Sequence, residues 1–305
     1  MTFFGIDITL FMQGWGWVLF ALLSAFFSSG MYLVNQYLKQ QGYLLVFWMR
    51  VVVIVAMWPF MKTLPLSEDP VFYLTVIVTS FAASFADLRT FNASARFGGG
   101  VASRVYPATV WCAFFMWFMF DPQLLSRYAQ NPVNTAGVLA ALGGCVYFAM
   151  RINRCTVTRQ ALLYMSPALF CYALTVVLNK FAMSRGALDS VVYSYMYFQS
   201  FFSIVIVGCY AIWRQKTDPQ VGGWGKREML AAALIAGFTW ICGMIYKNYA
   251  MSFTPNPSYV AALGLTVPVF IAAFYRITGH REEADVKSGM GIVASAALLA
   301  LMAVK

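Results

Sequence analysis

The sequence predicts an all-α integral membrane protein with ten transmembrane helices in two inverted five-helix repeats. Three observations predict it: the composition, the spacing of the apolar runs, and a weak internal repeat. Of 305 residues, 61% are hydrophobic and only 10% charged, and the mean hydropathy is +0.69. A soluble domain carries about 25% charged residues, so this chain cannot cover a water-facing surface. Ten crossings of roughly 20 residues use about 200 and leave about 105 for nine loops and two tails. No connection is then long enough for a soluble catalytic or nucleic-acid-binding domain.

Taken in order, the apolar runs cover about 14–38, 43–61, 71–92, 98–120, 133–150, 161–183, 190–213, 228–251, 256–277 and 287–304. Turn-forming residues divide them. Gln40-Gln41-Gly42 closes the first run, and the segment from Leu64 through Pro65 to Asp69-Pro70 closes the second. Phe97-Gly98-Gly99-Gly100 reads as a reversal before the fourth. Asp121-Pro122 and Asn131-Pro132 bracket the connection to the fifth, and Asp218-Pro219 through Gly222-Gly223 precedes the eighth. A cleavable leader needs a basic start, whereas the first Lys or Arg is Lys39, so the first run is expected to be retained.

The repeat is carried by short anchors. Asn35-Gln36-Tyr37-Leu38 followed by Gly42 matches Asn179-Lys180-Phe181-Ala182 followed by Gly186, and Pro107 and Asp121 match Pro268 and Glu282. The halves this defines, 1–155 and 156–305, hold five helices each. Five is odd, so the two halves must lie in opposite senses in the bilayer, as in many secondary transporters. On these residues, together with the small-residue run from Gly289 to Ala303, the chain resembles the drug/metabolite transporter superfamily over its whole length. The resemblance implies two inverted repeats around a central cavity that opens alternately to each side.

Charges inside the apolar runs are the informative residues: Arg50, Asp87, Arg89, Arg104, Lys180 and Lys247. On insertion scales each central charge costs roughly 2.5 to 3.5 kcal/mol. The five bases therefore require water, a carboxylate, a substrate, or a route to the headgroups for the side chain. Arg50 lies near mid-span, where snorkelling is hardest. Asp87 and Arg89, two residues apart, cannot share a helix face, so a cation on another helix is expected to partner Asp87. Arg89 lines up with Asn92, and Tyr172 and Thr175 with Asn179. Trp240 and Gly243 share a face with Lys247, beside Tyr246, while Tyr193 and Tyr197 share one on the seventh run. The candidate substrate-binding set is thus Arg50, Asp87, Arg89, Asn92, Arg104, Asn179, Lys180, Tyr193, Tyr197, Trp240, Tyr246 and Lys247. For the tyrosines, interfacial packing competes with ligand contact, and for Asn179 and Asn35 so does hydrogen bonding between helices.

Five bases against one acid leave a formal excess of four positive charges in the spans, which favours an organic anion bearing phosphate or carboxylate. A neutral or zwitterionic amino-acid-like metabolite is the alternative substrate, and a membrane-embedded enzyme or receptor-like subunit the alternative class. Enzyme signatures are missing, since the single His280 lies in a connection and there is no nucleophile elbow or phosphate loop. The six cysteines show no metal-ligand or disulfide pattern and read as apolar packing. No cofactor, no metal and no nucleic-acid partner is expected. The expected partners are a small-molecule substrate and membrane lipid, with the carrier a monomer or weak dimer.

The chain has 21 Lys and Arg against 11 Asp and Glu and a pI near 9.4. Twelve bases fall in the connections on one side: Lys39, Arg96, Arg151, Arg154, Arg159, Arg214, Lys216, Lys226, Arg227, Arg276, Arg281 and Lys287. Four fall on the other side, Lys62, Arg127, Arg185 and Lys305. The positive-inside rule then places the twelve in the cytoplasm and both termini outside a plasma (inner) membrane.

Overall fold

Apolar runs of this length can satisfy their backbone in lipid only as helices. A computed structural model describes residues 2–3, 6–7, 12–38, 42–97, 105–152, 158–217, 227–279 and 285–303. Lys39, Gly98 to Gly100, Arg104, Arg154, Cys155, Asp218 to Gly223, Lys226, His280 to Glu282 and Lys305 lie outside the described residues, as do the side chains of Asn35 to Leu38, Ser94 and Arg96. A short antiparallel pairing of Thr2–Phe3 with Ile6–Asp7 opens the chain, in the tail before the first apolar run.

A π-helical turn, Met12–Gly16, leads into α1 (Trp17–Leu38), followed by α2 (Gly42–Thr63) and α3 (Pro70–Phe97). A 3-10 turn, Tyr106–Ala108, opens α4 (Thr109–Trp117), and α5 (Pro122–Gln130) and α6 (Pro132–Arg151) follow. The second half holds α7 (Arg159–Met183), α8 (Leu188–Thr217), α9 (Arg227–Phe253), α10 (Pro257–Gly264), α11 (Val267–Thr278) and α12 (Val286–Ala303). Among the described residues nine helices are long and apolar enough to cross a membrane, counting α10 and α11 as one. A tenth is reached if Tyr106–Trp117 and Pro122–Gln130 together form one broken span.

Two expected elements differ. The fourth run ends at Trp117 and turns by 97° into α5, where the sequence suggested only a connection. Asp121 accepts from the Leu124 amide and Asn131 from that of Asn134, so both Asx-Pro pairs are helix starts, with proline at the first helical position. Leu124 is buried, whereas Gln123, Ser126, Arg127 and Gln130 are exposed, which suits a helix lying along the membrane surface. The ninth run is broken at Leu265 and Thr266, and Pro268 sits in the first turn of the helix that resumes there. That helix ends at Gly279, whose φ of 75° is left-handed backbone that glycine adopts without a Cβ clash.

The helices pack in pairs that cross between the halves: α1 on α9, α3 on α7, α2 on α8, and α6 on α12. Further contacts join α2 to α9, α3 to α8, α4 to α7, and α1 to α10 and α11. Lipid supplies no hydrophobic drive between helices, so close packing of small residues has to hold them. In the α6–α12 seam a Cβ on Gly144 would fall 2.4 Å from the Ser295 hydroxyl oxygen, and one on Gly291 would fall 2.5 Å from the Phe148 ring. On α9, a Cβ at Gly237 would fall 2.7 Å from Val52 of α2. Of the described cysteines, all free, Cys145 is buried, while Cys112 and Cys209 are exposed on the outer surface rather than packed.

Candidate functional site

The interior of the bundle is polar at mid-depth. Arg50 is only 5% exposed, and its guanidinium carbon stands 4.1 Å over the ring of Trp240. Its Nε and Nη1 have no hydrogen-bond partner among the described residues. A desolvated cation–π contact returns about 2 kcal/mol, whereas each unmet buried donor costs about 1 to 3 kcal/mol, more when charged. The residue is therefore a net cost to the fold, and such charges in membranes mark pathways and sites.

Asp87 shares this space. It accepts from the Tyr172 hydroxyl at 2.7 Å, so its direct partner is a neutral phenol, where a cation on another helix was expected. Among the described residues the one ion pair within 4 Å joins Arg185 to Asp69. Arg50 remains close enough to act on the Asp87 charge, and Tyr195 is beside both Arg50 and Thr79. Tyr106 packs edge-on against Tyr172, with ring centres 5.2 Å apart. Tyr32 and Tyr106 keep 52% and 39% of their surface accessible, and both lie within electrostatic reach of Asp87.

Toward the end of α7, Asn179 donates its amide to Asn248 of α9 at 3.1 Å, leaving the Asn179 oxygen and the Asn248 nitrogen unpartnered. Lys247, next in sequence to Asn248, is enclosed but partly accessible, with no hydrogen-bond or ion-pair partner among the described residues. Ser84 on α3 and Ser194, Gln199 and Ser200 on α8 also bury unpartnered polar atoms. Buried polar groups in folded proteins are met by partners in more than nine cases of ten, so this concentration calls for internal water or a ligand.

The other candidates sit elsewhere. Arg89 donates its Nε–H to the Tyr164 carbonyl oxygen at 2.8 Å and stacks on the same residue's ring at 4.5 Å. Asn92 lies half-buried one turn further along α3. Lys180 donates to the Ser252 carbonyl oxygen at 3.1 Å, in the last turn of α9, where a cation also meets the negative end of the helix dipole. Tyr246 is stacked between Phe20 and Phe27 of α1. Tyr197 packs on Trp58, which is 51% exposed on the outer face. Tyr193 stacks flat on Phe60 with ring centres 4.8 Å apart. Arg104 lies outside the described residues. Setting Arg89 and Lys180 aside, the excess of four positive charges becomes two, and among the described residues it is one, Arg50 and Lys247 against Asp87.

At one end of the bundle contacts tie the two halves together. Arg185 and Asp69 approach to 3.5 Å, Ser67 donates to the Arg185 carbonyl oxygen at 3.4 Å, and Ser190 donates to the Pro65 carbonyl oxygen. These contacts join the α2–α3 connection to the α7–α8 connection. The accessible Tyr32 and Tyr106 lie toward the opposite end.

Sequence reasoning singled out neither Asn248 nor Tyr32 and Tyr106. A polar residue within an apolar run was the available signal for Asn248. No family model and no curated protein matches this chain. It superposes on a solved crystal structure, described only as that of a protein, over 95% of this chain and 99% of that one, with a TM-score of 0.65 and 14% identity. At that identity the likeness concerns the fold alone. The chain is a multi-pass, all-helical membrane protein whose fold occurs in a solved structure of nearly the same extent.

Proposed function

We propose that this protein is a secondary transporter of the drug/metabolite type, carrying a small organic anion across the membrane by alternating access. The observation that carries the reading is Arg50: a buried guanidinium, stacked on Trp240, with two nitrogens unpartnered among the described residues, and the reading puts the substrate chamber beside it. Arg presents a planar fork suited to carboxylate or phosphate. The helix pairing supports the inverted repeat. Exchanging each span for the one five places along turns α1 on α9 into α7 on α3, and α2 on α9 into α8 on α3, while α2 on α8 and α6 on α12 map onto themselves. The tie at one end, with accessible tyrosines toward the other, fits one of the two access states. No cofactor enters this reading.

Purified protein in proteoliposomes preloaded with an anion mixture should accumulate labelled anion by counterflow, and Arg50→Gln should lose that uptake while remaining monodisperse in detergent. Equal uptake by both proteins defeats the proposal. Asp87 in the same chamber favours a second reading, a zwitterionic amino-acid-like substrate with its carboxylate on Arg50 and its ammonium on Asp87. Under that reading Asp87→Asn abolishes uptake of the zwitterion.

A further inference from the structure

Arg50 and Trp240 lie at one depth, since each stands thirteen residues from the helix end on the tied side, Thr63 and Phe253. Lys247 follows Trp240 by two turns, which places both side chains within about 20° on the helix wheel and roughly 10 Å apart along the axis. Flanking residues fix what that face of α9 looks toward. Tyr246 on one side meets Phe20 and Phe27 of α1, and Asn248 on the other meets Asn179 of α7. Lys247 points between them, into the interior where Trp240 holds Arg50. Two cations therefore address the bundle interior at two depths, and among the described residues neither has a carboxylate within ion-pair distance.

Resting on the anion-carrier reading, we propose that the chamber selects substrates with two anionic groups, one held by Arg50 and the other, roughly 10 Å nearer the tied end, by Lys247. A monoanion leaves one desolvated cation unmet, which penalises it relative to a dianion of matched span. Asp87 does not cancel the second site, because it stands seventeen residues from Pro70 on the tied side, further from Lys247 in depth than Arg50 is, and is engaged by Tyr172.

The test uses the purified full chain and two probe series, the α,ω-dicarboxylates from succinate to sebacate and the monocarboxylates of equal length, read by binding competition. The parent should prefer the longer dicarboxylates to their monocarboxylate counterparts by about tenfold or more. Lys247→Met should erase that preference, lowering dicarboxylate affinity about tenfold more than monocarboxylate affinity. Arg50→Gln should weaken both series. Equal binding of the two series by the parent, or an equal loss in both on Lys247→Met, overturns the two-anion site and leaves the anion reading standing. Binding of neither series by the parent, with zwitterions bound instead, overturns both.

Discussion

The Arg50 guanidinium and the Trp240 ring are stacked across the α2–α9 contact at 4.1 Å. A Cβ on Gly237, three residues before Trp240, would fall 2.7 Å from Val52, two residues beyond Arg50. The absence of a side chain at 237 lets α2 and α9 approach closely enough for the stack to form. The indole then orients the guanidinium by covering one of its faces, and the edge that bears the unpartnered nitrogens is left for a ligand.

Because the unmet Arg50 donors outweigh the stacking contact, Arg50→Gln is expected to melt no lower than the parent in detergent, even as substrate binding is lost. Arg50→Lys should not rescue binding, since an ammonium lacks the planar fork. Thermal unfolding and ligand competition on the same preparations check this. A large fall in melting temperature would show that Arg50 is a structural residue.

Arg89 and Lys180 should behave in the opposite way. Each donates to a backbone carbonyl on another helix, so Arg89→Gln and Lys180→Gln should each cost about 1 to 3 kcal/mol of stability. Per folded molecule they should retain most of the substrate affinity. Loss of binding with unchanged melting would return them to the site.

At the tied end, a Cβ on Gly186 would lie 3.7 Å from the Ser67 hydroxyl oxygen, although Val191 must shift to admit it. The double variant Ser67→Cys with Gly186→Cys should therefore form a disulfide on mild oxidation, and it should stop counterflow until reductant is added. Unimpeded counterflow in the cross-linked protein would mean that this end need not open.

In the seam between α6 and α12, Gly144→Ala places a methyl against Ser295, and overpacking of this kind costs about 1 to 3 kcal/mol. Adding Ser295→Gly should recover most of the loss. Melting curves of the single and double variants decide it, and additive losses would exclude direct contact.

Most of the span limits were legible because a bilayer of fixed thickness demands apolar runs of fixed length. The helix at Pro122–Gln130 was signalled by Asp121-Pro122, which reads equally well as a turn or as a helix start. The break at Leu265 and Thr266 is cued only by Gly264 and Pro268, both of which an unbroken membrane helix also tolerates. Helical spacing grouped Trp240 with Lys247, and the unbroken helix Arg227–Phe253 keeps that spacing. It could not tell that Tyr246 would be stacked on α1 or that Tyr197 would pack on Trp58 at the outer face, because periodicity fixes which residues share a face and not which helix the face meets.

The α6–α12 seam joins one helix from each half, and Gly144 and Gly291 are closed against side chains there at distances no Cβ could share. Such a joint cannot be drawn apart without opening a void. On the transporter reading, displacement of the halves is expected to be smallest beside this seam and to grow with distance from it, as in a lid about its hinge pin, so stiffening the seam should slow transport without changing what is bound.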